Sequence, residues 1–263
     1  MPSVADLSAP YGNFMRGPQP GPSVCRVCFN LTDGYGRCYA CAHGGRWLDA
    51  VAPISYSLAG GQLHHALVTY KRRHDAVGRR FGLELAAVLW RYLAAHEPCL
   101  RRAAGVNAFA VVTTVPSSDA AGDDAHPLHA IVAELVGPVR DRYLRLLRRS
   151  ATPCSTHEFH AGKFTTDADL SGRAVLLIDD TWTTGANAQS AAAALKAAGS
   201  TRVAAVVIGR YLNREWHENE RRVRTLPEPY DWTSCALCAG EPRTAGHDSD
   251  CSPTQPDPHP HTR

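Results

Sequence analysis

The chain has 263 residues, of which 44% are hydrophobic and 20% charged, a balance that fits a folded globular protein and excludes a wholly disordered one. Twenty-eight basic against 25 acidic side chains leave a formal net charge of +3, so whole-chain charge gives no ground for nucleic-acid binding. No apolar run approaches the roughly 18 residues of a membrane span, and Met1 to Pro20 carries no apolar stretch of the secretory kind. The expectation is a cytoplasmic protein without a membrane span. Its nine cysteines are then reduced thiols or metal ligands rather than disulfides.

In chain order, residues 1–23 are rich in Pro, Gly and Ser (GPQPGPS at Gly17 to Ser23) and read as a flexible N-terminal tail. Residues 24–49 hold two Cys-x2-Cys pairs, Cys25/Cys28 and Cys38/Cys41, separated by the nine residues Phe29 to Arg37. Each pair can place two thiolates on one ion, and two pairs complete the tetrahedron that zinc prefers, with no open position. Such zinc is structural, and in so short a loop it would supply most of the folding energy. His43 is an alternative ligand.

Residues 50–225 alternate between strand-like and helix-like patterns. Val51 to Tyr56 reads as a short strand that Pro53 confines to a sheet edge or excludes from the sheet. Leu63 to Lys71 is helical in composition. A longer helix follows, with Val77, Phe81, Leu85, Val88, Leu89 and Tyr92 at helical spacing. Phe109 to Val115 is a β-branched buried strand and His126 to Val136 a helix; Tyr143 to Leu147 fits a strand or a helix end equally. Ala174 to Ile178 and Val203 to Ile208 are unbroken apolar strands flanking the Ala-rich helix Asn187 to Ala198, which Gly199 ends. Apolar strands separated by helices predict an α/β fold, a parallel sheet with helices on both faces. Residues 226–263 read as an extended, disordered C-terminal tail. Cys235-x2-Cys238 within it could be half of a second metal site or incidental, and Cys99 and Cys154 read as ordinary core or loop residues.

The most informative stretch is VLLIDDTWTTGAN, Val175 to Asn187. A buried strand ends in Asp179 and Asp180; small hydroxyl residues and a glycine follow, and then a helix begins. Ligands of open parallel sheets sit at the carboxyl ends of the strands. A helix start offers unpaired N–H groups and the positive end of a dipole to a phosphate. Thr181, Thr183 and Thr184 add hydroxyl donors, and Gly185 allows close backbone approach, so that a substituent there would fill the phosphate space. Carboxylates suit sugar hydroxyls, so the loop fits a ribose 5-phosphate site. A solvated turn and a paired-acid magnesium site are the alternatives.

This stretch resembles the phosphoribosyl-pyrophosphate (PRPP) signature of type I phosphoribosyltransferases. A four-cysteine module ahead of it resembles the ComF family, associated with bacterial competence and DNA uptake. Ser55 to Asp75 (SYSLAGGQLHHALVTYKRRHD) and His160 to Phe164 (HAGKF) are similar to further segments of that family. The resemblance implies that the 50–225 region is a phosphoribosyltransferase-type core. Asp179 and Asp180 would hold the ribose hydroxyls, and Thr181, Thr183, Thr184, Gly185, Ala186 and Asn187 would wrap the 5-phosphate. Ser117, Ser118 and Lys71 would lie at the pyrophosphate end, and magnesium would arrive with PRPP. It also implies transfer of phosphoribose to a nitrogen acceptor, or else a non-catalytic DNA-uptake role with single-stranded DNA or a competence helicase as partner.

The chain departs from the family in one place. A basic Arg-Gly-Phe-Asn-Gln stretch is replaced by AAGDDAHPL (Ala120 to Leu128), which sets Asp123 and Asp124 near the expected pyrophosphate and opposes anion binding unless a cation intervenes. Basic clusters at Lys71 to Arg73, Arg140 to Arg149 and Arg221 to Arg224 read as solvated helix faces or as a single-strand groove with Tyr70, Tyr143, Tyr211 and Trp216 for stacking.

Overall fold

The computed structural model describes residues 2–117, 126–155 and 157–239. Unbroken apolar strands need cover on both faces, and this chain supplies it from helices that alternate with them. In chain order the elements are α1 (Val4–Ser8), α2 (Tyr39–His43), β1 (Ala50–Leu58), α3 (Gln62–Arg72), α4 (Ala76–Ala104), β2 (Val111–Thr114), α5 (Pro127–Ala130), α6 (Gly137–Arg140), β3 (Arg148–Arg149), β4 (Phe164–Thr165), β5 (Ala174–Trp182), α7 (Ala186–Ala197), β6 (Arg202–Leu212) and α8 (Asn219–Arg224). A parallel sheet runs in the order β1-β6-β5-β2, and β3 and β4 form a small antiparallel ribbon.

Side-chain alternation along each strand divides the core. Leu176, Ile178, Ala204, Val206, Ala52 and Ile54 pack with Leu85, Val88 and Leu89 of α4 and with Leu67 and Tyr70 of α3. Val175, Leu177, Val203, Ala205 and Val207 pack on the opposite face against Ala188, Ala191, Ala192 and Leu195 of α7. The short side chains let this helix approach the sheet closely. The α/β class with helices on both faces is as the apolar runs predict.

Pro53 sits in β1, an edge strand, where the donor it lacks is least costly. The ambiguous Tyr143 to Leu147 stretch lies extended along β2. Leu144 N–H donates to Val112 O at 2.9 Å, and Val112 N–H to Arg142 O at 2.9 Å. The helix expected from His126 begins at Pro127 and widens into a π-turn over Ile131–Leu135.

Two expectations of flexible ends are corrected. Residues 4–13 are helical: Ser3 caps α1 reciprocally with Asp6, and Tyr11 and Met15 are buried in the α4-side core. The caps and apolar anchors outweigh the Gly/Pro content that suggested a loose lead-in. At the other end, residues 226–239 pack on α4 and β1. Tyr230 is buried, its hydroxyl donating to Ile54 O at 3.1 Å and its N–H to Gly12 O at 2.8 Å. The rest of the expected C-terminal tail, with Cys251, lies outside the described residues.

The correction at the N-terminus has a direct check. Met15 is fully buried, so Met15→Ala is expected to lower unfolding free energy by about 2–5 kcal/mol in a urea titration. No change in midpoint would return residues 1–23 to a loose tail.

Candidate functional site

All four strands of the parallel sheet point their carboxyl ends at one edge, and a cavity of about 690 Å³ opens there. It is lined by Lys71 from α3, Pro116 and Ser117 after β2, His126 before α5, Asp179 and Asp180 of β5, and Thr181 through Asn187 leading into α7. The described residues suggested by the loop pattern, and Lys71 and Ser117 suggested by the family resemblance, all line this one cavity. Ser118, Asp123 and Asp124 lie outside the described residues.

The two acids face different surroundings because successive strand residues point to opposite sides. Asp180 turns toward α3 and is buried: Lys71 Nζ donates to its Oδ1 at 2.7 Å, the Tyr70 hydroxyl donates to its Oδ2, and His126 Nε2 is 3.6 Å from Oδ2. Burial alone would raise its pKa, but the charges of Lys71 and His126 and the hydrogen bonds outweigh it and hold the carboxyl below the usual range. Asp179 has no such escort. Burial, with the neighbouring Asp180 charge adding to it and Lys71 opposing, pushes its pKa up to about 7. Its Oδ1 accepts from the Asp180 N–H at 2.9 Å.

The loop after β5 is held from behind. Gly185 has φ +83°, and a Cβ there would lie 2.0 Å from the buried Trp182 ring. The obstruction is therefore Trp182 and not the phosphate space expected from the sequence. Gly185 starts α7 with no side-chain cap, so its first-turn donors depend on local or external acceptors; the Ala186 N–H reaches Thr184 Oγ1 at 3.3 Å. Thr184 in turn donates to His157 O at 3.1 Å. Lys163, from the HAGKF segment, is fully buried and donates to Ser155 O, Glu158 O and Asn187 Oδ1 at 2.8, 2.7 and 3.2 Å. It ties residues 157–163 to the start of α7, and His157 lies at the cavity wall.

Cys25, Cys28, Cys38 and Cys41 are buried, and their sulfurs lie within 4.8 Å of one another. Cys28 and Cys38 Sγ are 3.6 Å apart, close to the roughly 3.8 Å edge of a tetrahedron with 2.3 Å metal–sulfur bonds. The group can hold a metal ion, as structural zinc requires. His43 instead turns Nδ1 to Tyr39 O at 3.0 Å. The cysteines share an apolar cluster with the α7 side of the sheet, and Arg210 of β6 joins them to the loop. This buried guanidinium donates to Cys28 O at 3.2 Å and to Trp182 O at 3.1 Å, and lies 3.7 Å from Cys28 Sγ.

Sequence reasoning missed Tyr70, His126, His157 and Arg210 as site partners; each comes from an element remote in the chain, with no spacing to announce it. It also took Cys99 as an ordinary core residue. Cys99 belongs to a second cluster with His96, Cys235 and Cys238.

The basic clusters are largely paired. Lys71 is on Asp180, Arg142 on Glu97 at 2.8 Å, Arg148 on Asp167, Arg221 on Glu218 and Arg224 on Glu220. Tyr70 is buried and cannot stack on a base. Among the described residues no helix is long and apolar enough to cross a membrane.

No protein-family model matches the chain, and no curated protein sequence matches it. Among solved structures it is similar to the allosteric regulatory enzyme of purine biosynthesis, with 19% identity over 54% of this chain and a TM-score of 0.33. The match spans only 30% of that enzyme. A hypoxanthine phosphoribosyltransferase from Staphylococcus aureus matches with 12% identity, 48% of this chain, 75% of that one and a TM-score of 0.29.

The raised pKa of Asp179 gives a pH signature. A folded-state pKa above the unfolded value contributes stability that is full below about pH 4 and lost as pH rises through 7. Asp179→Asn is therefore expected to raise the thermal midpoint over the native chain at pH 8 and to leave it unchanged at pH 4. An equal shift at both values would show that Asp179 ionises normally.

Proposed function

We propose that this cavity binds a 5-phosphorylated ribose, with PRPP as the substrate that would fill it, and that the chain is a ComF-like protein of phosphoribosyltransferase type. The observation that carries the reading is the placement of two adjacent carboxylates and a glycine-led helix N-terminus in one cavity at the carboxyl edge of a parallel sheet. In this reading Asp179 and Asp180 accept from the ribose hydroxyls. Asp180 is pre-oriented by Lys71 and Tyr70, and Asp179 becomes fully ionised as the ligand supplies the hydroxyl donors it lacks. The 5-phosphate sits against the backbone of Thr183 to Asn187, where α7 offers donors and a favourable dipole.

If PRPP is turned over, the anomeric carbon loses pyrophosphate and takes a nitrogen nucleophile. Rate enhancement would then come from holding both parts of the substrate in place. Magnesium would enter with PRPP, and its charge would offset the acids at the pyrophosphate end. Zinc on the four N-terminal cysteines would be structural, fixing Cys28 and, through Arg210, the carbonyl of Trp182 beneath the loop.

A second reading has one observation in its favour. Tyr39, Tyr35 and Trp216 are 79%, 70% and 60% exposed and line, with Arg37, a groove beside Thr183 and Thr184. Aromatic faces next to a cation suit single-stranded nucleic acid, the partner that a DNA-uptake role implies.

Calorimetric titration separates the two. PRPP with magnesium is expected to bind saturably to the native chain. Thr183→Glu, at an exposed position of the loop, is expected to weaken it more than tenfold. A carboxylate about 4 Å from a phosphate oxygen costs about 4 kcal/mol at an effective dielectric of 20. Equal PRPP affinity in both proteins would remove the phosphate from this loop. Salt-sensitive single-strand binding with no PRPP heat would favour the second reading.

A further inference from the structure

The long helix α4 carries His96 and Cys99 three residues apart, hence on one face, and both are fully buried. Cys235 and Cys238 arrive from the C-terminal segment, 136 residues after Cys99, and bring their sulfurs to the same point. The four candidate ligand atoms lie within 4.8 Å of one another. Cys235 and Cys238 Sγ are 3.4 Å apart, and Cys99 Sγ is 3.8 Å from His96 Nδ1. These separations suit a tetrahedron with metal–sulfur bonds of about 2.3 Å and metal–nitrogen bonds of about 2.0–2.1 Å. They are far from the roughly 2.05 Å of a disulfide.

The surroundings are those of a metal site. His96 Nε2 lies 3.0 Å from Trp232 O. A proton on Nε2 donated to that carbonyl fixes the tautomer that leaves the Nδ1 lone pair for an ion, an arrangement shared by most metal-bound histidines. The Cys235 N–H donates to Cys238 Sγ at 3.2 Å, which favours a thiolate there. With four protein ligands the site is closed.

We propose that His96, Cys99, Cys235 and Cys238 bind a second, structural zinc that staples the C-terminal segment to α4. The segment from Leu226 to Ala239 has no helix or strand of its own. It nevertheless makes specific contacts with the N-terminal segment, β1 and α4. Tyr230 bonds Ile54 O and Gly12 O, Trp232 stacks under Arg91 at 4.3 Å, and Glu228 pairs with Arg16. A metal at its far end fixes a stretch that a handful of contacts would hold poorly against its conformational entropy. The zinc therefore secures the terminal segments on the α4 face, away from the cavity and independently of what the cavity binds.

Elemental analysis of the full chain expressed with zinc tests this. The native protein is expected to carry two zinc ions, Cys235→Ser/Cys238→Ser one, and Cys25→Ser/Cys28→Ser one, with Cys251→Ser keeping both. The Cys235/Cys238 variant is also expected to be cut by protease within residues 226–239 at a rate at least tenfold above native. Should that variant fail to fold, zinc X-ray absorption on the native chain decides. Two filled sites give seven sulfur ligands and one nitrogen over two ions. One zinc per native chain with four sulfur ligands, or a Cys235–Cys238 disulfide in the freshly purified protein, would overturn the proposal.

Discussion

Four strands that all run the same way deliver their carboxyl ends to one edge, and the rest of the molecule is arranged around that constraint. β5 carries Asp179 and Asp180 near its carboxyl end, β1 leads into the helix that supplies Tyr70 and Lys71, β2 runs out to Ser117, and β6 carries Arg210 just before its end at Leu212. An antiparallel arrangement would have scattered these groups between two edges. Alternation along β5 then gives the paired acids unlike environments. Asp180 is neutralised within the fold, whereas the half-buried Asp179 has no cation bonded to it, and desolvation with the neighbouring Asp180 charge raises its pKa to about 7. A carboxylate held in such a state is a stability cost, and costs of this kind concentrate where a ligand is to be met.

The edge is stiffened from outside the sheet. The four-cysteine module shares its apolar contacts with the α7 side of the core, and Arg210 ties it to the backbone beneath the Thr-Thr-Gly loop. A buried guanidinium beside four cysteines is well placed, because its donors are used on carbonyls and its charge would offset those of metal-bound thiolates. On the other face the described terminal segments, residues 2–16 and 226–239, pack on α4 and β1. Short irregular segments thus lean on the large core, with metal ligation able to supply the folding energy they cannot generate alone.

Much of this was legible in the sequence, for identifiable reasons. Unbroken apolar runs at Ala174 to Ile178 and Val203 to Ile208 leave little choice but buried parallel strands, and the Ala-rich helix between them fixes the crossover. The Cys-x2-Cys pairs near the N-terminus are local, so spacing reports them. What stayed hidden was non-local or weakly patterned. The caps and anchors of residues 3–15 were masked by prolines and glycines. Of the partners of Asp180, Lys71 is suggested only by the family resemblance and without its partner, and nothing in the spacing of Tyr70 and His126 marks them. The second cluster is an intermediate case. His96-x2-Cys99 and Cys235-x2-Cys238 are each half-sites by spacing, and only the packing of residues 226–239 on α4 shows that they meet.

The claim on which the functional account rests is that the phosphate of a ribose 5-phosphate sits at the start of α7. Amide chemical shifts of the full chain, followed by NMR through a titration with ribose 5-phosphate, test it most directly. The account expects the largest shifts at the N–H groups of Thr183 to Asn187, saturating together with those of Asp179 and Asp180. Shifts confined to Arg140 to Arg149 or Arg221 to Arg224, with the α7 start unmoved, would contradict it.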